Sequence, residues 1–271
     1  MHEEILAPLA VGVGAFGAVV SAATGGGGGL FFLPAMLMAG VPPHYAVAAA
    51  KFNDVGINIG ALGMIGATGR AIRRLLRKRT FSTPKKMPSP RSWVRANVMI
   101  TAIVIITLFN VLIASWLIPL LAHVEWTNIL IAYLLLGMAL FGKSKVFREG
   151  KRSTRRRKLG YSLYWIVSLA QAVFGMGIGI FISLVVMYGF GYGVREANRL
   201  KRLATFYQSL LLIIALAFQG SILLVLSAAA LLGAVCGAKV GTWLVRGKSD
   251  VTMKKLLRGI MAASAIMLLV V

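Results

Sequence analysis

Residues 21–54 read SAATGGGGGLFFLPAMLMAGVPPHYAVAAAKFND, and this stretch decides the fold. Five consecutive glycines and three prolines interrupt apolar sequence, and the charged residues Lys51 and Asp54 follow. Glycine lets a backbone bend and approach another group closely. Inside a membrane, backbone that leaves the helix is tolerated only where protein or a water-filled cavity satisfies its polar groups. The stretch therefore predicts an interrupted helix pair beside a cavity, provided that the chain is a membrane protein.

The composition indicates that the chain is a membrane protein. Hydrophobic residues make up 58% of the 271 residues and the mean hydropathy is +0.82, well above the usage of soluble domains. No polar segment is long enough to bury a core of its own, so we predict one transmembrane domain over residues 1–271. The acidic start MHEEILAPLAV lacks the basic region of a secretory signal, and we expect the first helix to be retained.

Hydrophobic segments divide the chain into two halves. A bilayer core of about 30 Å requires about 20 helical residues for each crossing. Ten segments result: 5–23, 29–40, 46–68, 93–120 and 125–142, then 161–175, 178–190, 197–219, 221–245 and 253–271. The two short segments, 29–40 and 178–190, each follow a glycine cluster and either cross or re-enter the membrane. With either arrangement each half makes an odd number of crossings, so two similar halves must be inverted relative to each other.

The net charge of +23 is confined to a few loops. Ten basic residues and no acid lie between Arg70 and Arg95, and nine basic residues with one acid lie between Lys143 and Lys158. Basic loops of this kind face the cytoplasm. We therefore predict that both termini are periplasmic and that the basic loops contact anionic lipids, with no role for nucleic acid.

The two halves carry matching patterns. TGGGGGLFF from Thr24 aligns with FGMGIGIFI from Phe174, and a second alignment, from Gly40 and Gly191, places Lys51 over Arg202. Inverted repeats with broken helices are typical of secondary transporters, whose substrates bind where the breaks meet. The predicted fold is an all-α integral membrane protein with two inverted repeats of about five segments each, 1–142 and 161–271, joined by a basic cytoplasmic linker at 143–160.

Candidate substrate-binding residues lie at the two breaks and at the charged positions that follow them. Amide groups at the start of the short helices favour an anion. Lys51 and Asp54 are spaced so that they could pair, and the symmetry places Lys51 at an outer mouth and Arg202 at an inner one. The alternative is that both cations snorkel to the membrane surface. The candidates are Thr24, Gly25, Gly26, Gly27, Gly28, Gly29, Lys51, Asn53, Asp54, Gln171, Gly175, Gly177, Gly179, Arg202 and Gln208.

The other sequence patterns indicate helix packing or do not support a functional site. Gly233, Gly237 and Gly241 recur at the four-residue spacing of closely packed membrane helices. The G-x-G-x-x-G match at 12–17 lies within an apolar helix and not after a strand. The three histidines lack ligand spacing, and seven scattered acids form no convincing catalytic set. We therefore predict no enzyme activity, no cofactor and no metal.

The chain resembles the sulfite exporter TauE/SafE family, also described as toluene sulfonate uptake permeases. The resemblance rests on GGGGGLFFLPAMLMAGVPPHYAVAAA, on its echo FGMGIGIFISLVVMYGFGYGVREA and on their positions in two halves, and it covers nearly the full chain. It implies a bacterial inner-membrane protein that moves sulfite, sulfonates or related sulfur anions. Lys51, Asn53 and Asp54 depart from the small and hydroxyl residues usual at that place in the family, and the loop 70–95 is unusually long and basic.

Three hypotheses follow. The first is a secondary transporter that exports a small sulfur oxyanion by alternating access, with the proton as a candidate coupling ion. The second is a transporter of another small anion, such as an organosulfonate or a carboxylate, with uptake as an alternative direction. The third is a membrane scaffold that transports nothing and whose basic loops dock a cytoplasmic partner.

Overall fold

The computed structural model describes residues 3–24, 29–62, 90–121, 154–174, 179–190, 192 and 194–244. Within these ranges the chain is entirely helical, without a strand, as the predicted fold class requires. The helices are α1 (Glu3–Thr24), α2 (Gly29–Met38), α3 (Pro43–Leu62), α4 (Pro90–Leu121), α5 (Thr154–Phe174), α6 (Gly179–Phe190), α7 (Val194–Phe218) and α8 (Leu224–Leu244).

Eight of the ten predicted segments coincide with these helices. The segments 125–142 and 253–271 lie outside the described residues, as does most of the basic loop 70–95. α5 begins at Thr154, inside the predicted linker 143–160, because its basic residues are good helix formers and continue the helix beyond the apolar segment. By length and composition, two stretches of the described helices could cross a membrane, Ala197–Phe218 in α7 and Leu224–Leu244 in α8.

Two glycines with positive φ end helices and turn the chain. Gly40, with φ of 78°, follows α2, and Gly220, with φ of 67°, follows α7. After α2 the amide of Val41 donates to the Met36 carbonyl at 3.0 Å. This bond, with that of Gly40, satisfies carbonyls that the helix end leaves free. Proline then starts α3 at Pro43, where its missing amide costs nothing.

The helices pack as two groups of four. α1, α2 and α3 pack against one another, and α8 packs against α1 and α3. In the same way α5, α6 and α7 pack against one another, and α4 packs against α5 and α7. Each group therefore takes its fourth helix from the other half of the sequence. Exchanging α1–α4 with α5–α8 leaves this set of contacts unchanged.

Each group has its own apolar core, and a third cluster joins the groups. Phe32 and Met36 are central to the first core, and Tyr164 and Ile182 are central to the second. The groups meet where α3 contacts α7 and where residues of α4, α5 and α7 form a further cluster, against which Val47 of α3 packs. This boundary is where the polar residues described below lie.

Small residues let α8 approach its neighbours. A Cβ at Gly233, Gly237 or Gly241 would collide with the backbone of α1, at Val11, Ala15 and Val19 respectively. On its other side α8 contacts Gly56 and Gly60 of α3 just as closely. In both interfaces the residue numbers rise together, so α8 runs parallel to α1 and α3. The interpretation of the α8 glycines as packing residues is confirmed.

Candidate functional site

Four charged side chains gather at the boundary between the two groups. Lys51 and Asp54 belong to α3, and Lys201 and Arg202 belong to α7; we call these four the basic cluster. The exposed fractions of Lys51, Lys201 and Arg202 are 1%, 7% and 8%. Asp54 interacts electrostatically with both lysines. Two of the three buried basic groups therefore act on one carboxylate. Charged groups inside a membrane are costly and usually mark a functional site.

Lys51 joins the first half of the chain to the end of α5. Its Nζ donates a hydrogen bond of 3.0 Å to the main-chain carbonyl of Gln171. Gln171 is among the last four residues of α5, whose carbonyl groups have no partner within the helix. A cation at this position also opposes the partial negative charge of the helix end.

Arg202 makes the reciprocal contact. Its Nη2 donates to the carbonyls of Ser21 at 3.3 Å and Ala22 at 3.2 Å, both in the last four residues of α1. Ser21 stands four residues before the first glycine cluster, as Gln171 stands four residues before the second. The two residues that the sequence alignment pairs, Lys51 and Arg202, thus each bind the equivalent helix end in the opposite half.

The burial of Lys51 and Arg202 differs from the placement expected for these two cations. We expected Lys51 and Arg202 at open mouths or snorkelling to the surface, and both expectations are wrong, because both side chains are buried between helices. The reason is that helix-end carbonyls of the opposite half supply partners that the sequence does not reveal. Arg199, three residues before Arg202 on α7, is exposed. One turn of helix therefore separates a buried arginine from a surface one.

Lys201 was not among the predicted residues. A Cβ at Gly179, the first residue of α6, would lie 2.7 Å from Lys201 Nζ and 3.7 Å from Gln171 Nε2. The missing side chain of Gly179 thus makes room for an ammonium group beside the second break. The sequence signal for Lys201 was weak: it adjoins Arg202 in a basic run, and the repeat alignment pairs it with Ala50.

Several polar atoms of this region are sealed from solvent and have no hydrogen-bond partner. They are Nη1 of Arg202, Oδ2 of Asp54 and Oε1 of Gln171. A buried polar group without a partner costs about 1–3 kcal/mol, so such atoms indicate a place for a ligand. A guanidinium group with a free nitrogen binds oxyanions especially well, because its planar fork matches their oxygen atoms. The unpaired Nη1 of Arg202 is therefore a candidate donor to a small oxyanion.

Other predicted residues lie elsewhere or hold helices together. Asn53 is fully buried on another face of α3, and a Cβ at Gly14 of α1 would lie 3.1 Å from its Oδ1. Gln208 donates to the carbonyl of Ser168 at 2.9 Å and so ties α7 to α5. The structure therefore does not bring Asn53 together with Lys51, and it gives Gln208 a packing contact.

The remaining candidates are glycines and a helix end. Thr24 ends α1 and Gly29 begins α2. Gly25, Gly26, Gly27, Gly28, Gly175 and Gly177 lie outside the described residues. Within the described ranges, no three His, Cys, Asp or Glu side chains converge as a metal site would require.

A further hydrogen-bonded bridge, between α3 and α7, was not predicted. Asn58 of α3 donates to Thr205 Oγ1 of α7 at 3.2 Å and to the main-chain carbonyl of Asp54 at 2.8 Å. Both side chains are buried. This bridge lies at the α3–α7 contact, one helical turn beyond Asp54, and it extends the polar boundary past the basic cluster.

Comparison with known proteins identifies the family of the chain. Residues 88–268, about two thirds of the chain, match the family model described as Sulfite exporter TauE/SafE. The match begins just before α4 and continues past α8, so the pentaglycine stretch and α1–α3 lie outside it. No curated protein and no solved structure gives a match. Because the family model covers more than half of its length, the chain belongs to the sulfite exporter TauE/SafE family.

Proposed function

We propose that the protein is a secondary transporter that exports a small sulfur oxyanion, sulfite or a related sulfonate, across the bacterial inner membrane. The oxyanion binds in the basic cluster, between the two helix groups. The observation that carries this proposal is the buried guanidinium of Arg202, which has Nη1 sealed from solvent and unpaired beside a second buried cation, Lys201.

Family membership establishes the general class of the protein. The chain is a member of a membrane transporter family for sulfur anions, which confirms the expectation that it is not an enzyme. A membrane scaffold would not need unpaired charge in its interior, where each charged group is costly. The basic cluster therefore favours transport over the scaffold hypothesis.

Alternating access is our proposed mechanism, with two inverted repeats moving against each other. Two features support it: the helix contacts are unchanged by exchange of the halves, and each half places a cation at the end of a helix of the other half. In this mechanism Lys51 holds the end of α5 and Arg202 holds the end of α1. Releasing one contact while keeping the other would open the site to one side of the membrane at a time.

Orientation and lipid contacts complete the proposal. We place both termini in the periplasm and the loops at 70–92 and 143–160 in the cytoplasm, where their basic residues contact anionic lipid headgroups. Charge distribution in the sequence supports this orientation.

Sulfite flux into proteoliposomes tests the function. Sulfite should be transported with saturation, and replacing Gly27 or Gly177 by Leu should abolish flux by filling the space that the ligand needs. Gly12→Leu is the control, because Gly12 is exposed and a Cβ there would meet no atom within 4 Å. Normal flux in folded Gly27→Leu and Gly177→Leu proteins would show that the breaks are not part of the path. Flux of methanesulfonate or acetate in place of sulfite would establish the alternative substrates, and flux of no anion would favour a scaffold.

A further inference from the structure

Asp54 is an unusual residue for an anion site. Within the described helices the other acidic residues lie in first turns, Glu3 and Glu4 in α1 and Glu196 in α7. Asp54 is instead in the middle of α3. A negative charge at this place repels the anion that the basic cluster should attract, so the chain carries there a group that opposes its proposed substrate.

The surroundings of Asp54 leave its carboxylate able to take up a proton. Its Oδ2 is sealed from solvent without a hydrogen-bond partner, and the nearby Asn58 amide donates to the main-chain carbonyl of Asp54. Lys51 and Lys201 are the charges that act on it. An unpaired carboxylate oxygen in the interior is a place where a proton relieves the cost of a buried charge.

The helices packed against α3 bring few other titratable groups to this carboxylate. α7 contributes Lys201 and, next to it, Arg202, whose charge interacts with that of Lys201. α2 has no charged residue, and the acids of α1 are at its start. α8 carries Lys239, which is exposed. The charge of Asp54 is therefore balanced mainly by the two lysines that the proposed substrate would also contact.

From this juxtaposition we propose that Asp54 binds a proton together with the anion, so that the transporter moves the two in the same direction. An anion beside the lysines competes with the carboxylate for their charge. Protonation of Asp54 removes this competition, and by linkage the bound anion favours the proton as much as the proton favours the anion. The inference rests on the proposed anion site and identifies its coupling ion.

The direction of net transport then follows from two gradients. A proton gradient directed inward drives anion uptake through this coupling. Export requires an outward anion gradient, and the anion then carries a proton out of the cell. A monoanion and a proton together carry no net charge, so the coupled movement of this pair would not depend on the membrane potential.

Infrared difference spectroscopy of the purified protein tests the proton site without any anion. The stretch of a protonated carboxylic acid should grow as the pH is lowered, and Asp54→Asn should lack this component. Adding sulfite at constant pH should increase the same band in the wild type. The Asp54→Asn spectrum serves as the control, because subtracting it removes the titration of sulfite itself.

Binding affinities provide a second measurement. At alkaline pH Asp54→Asn should bind sulfite about ten-fold more tightly than the wild type, in the usual range of linkage between two sites. The two proteins should converge as the pH falls, since the wild-type carboxylate then also becomes neutral.

Each outcome decides a separate claim. If no titrating band depends on Asp54 in the anion-free protein, the proton site is wrong, whatever sulfite does. If the band titrates and sulfite binds without changing it, Asp54 is not coupled to the anion. If the band titrates and sulfite does not bind, the proposed substrate is wrong while the proton site stands.

Discussion

Replacing Arg202 by Gln should weaken sulfite binding strongly while leaving the fold intact. The substitution removes one buried positive charge and the unpaired Nη1, and the Gln amide can still donate toward the α1 carbonyls that Arg202 now binds. Arg202→Lys should retain much of the affinity, because it keeps the charge and loses the planar fork.

The expected loss of sulfite affinity follows from the Coulomb attraction between the anion and a buried guanidinium group. An oxyanion about 4–8 Å from the guanidinium gains about 2–4 kcal/mol at an effective dielectric constant of about 20. At 1.4 kcal/mol for each factor of ten, the affinity should fall about thirty-fold to several hundred-fold. Arg199 provides the matched control, because it is an arginine on the same helix, one turn away, and exposed. Arg199→Gln should change the affinity less than three-fold, since exposed charges are screened by solvent and salt.

Isothermal titration of sulfite into the purified proteins measures these differences. Thermal unfolding of each variant, followed in the same detergent, separates a loss of binding from a loss of folding. Wild-type affinity in a folded Arg202→Gln protein would refute the anion site. Equal losses in Arg202→Gln and Arg199→Gln would show that the effect comes from total charge and not from a buried group.

Three further predictions address the mechanism and the fold. In proteoliposomes of known orientation, Lys51→Gln and Arg202→Gln should each raise the half-saturating sulfite concentration at both faces, because both buried cations belong to one cluster; an effect confined to one face would indicate separate sites at the two mouths. Gly237→Ala should lower the thermal unfolding temperature, because its Cβ would collide with the α1 backbone, whereas Gly12→Ala should not lower it; equal stability of the two variants would contradict the packing. A cysteine at position 82, in a cysteine-free background, should resist impermeant thiol reagents in intact cells, and its labelling from outside would reverse the proposed orientation.

Most helices could be predicted because apolar length specifies them directly. α2 and α6, which are short, were expected from the glycine clusters before them. The start of α5 could not be predicted from apolarity, since its first residues are basic and helical at the same time. Helix propensity and hydrophobicity give different boundaries wherever a membrane helix continues into water.

The site was predictable only in part. Comparison of the halves paired Lys51 with Arg202, and the structure gives the two residues equivalent contacts. Their partners are backbone carbonyls, which every residue has, so no sequence pattern could identify them. Lys201 was missed because its position depends on the missing side chain of Gly179, which is distant in sequence. Contacts between halves are set by packing and not by local pattern.

The most direct test of the account is to locate a bound oxyanion in an experimental structure. Selenite has the shape and charge of sulfite, and its selenium can be placed by anomalous scattering. We predict one selenium site within hydrogen-bond distance of Arg202 Nη1, between α3 and α7, and its loss in Arg202→Gln. A selenium site on the surface alone, or no site in a protein that transports sulfite, would contradict the claim that the basic cluster binds the transported anion.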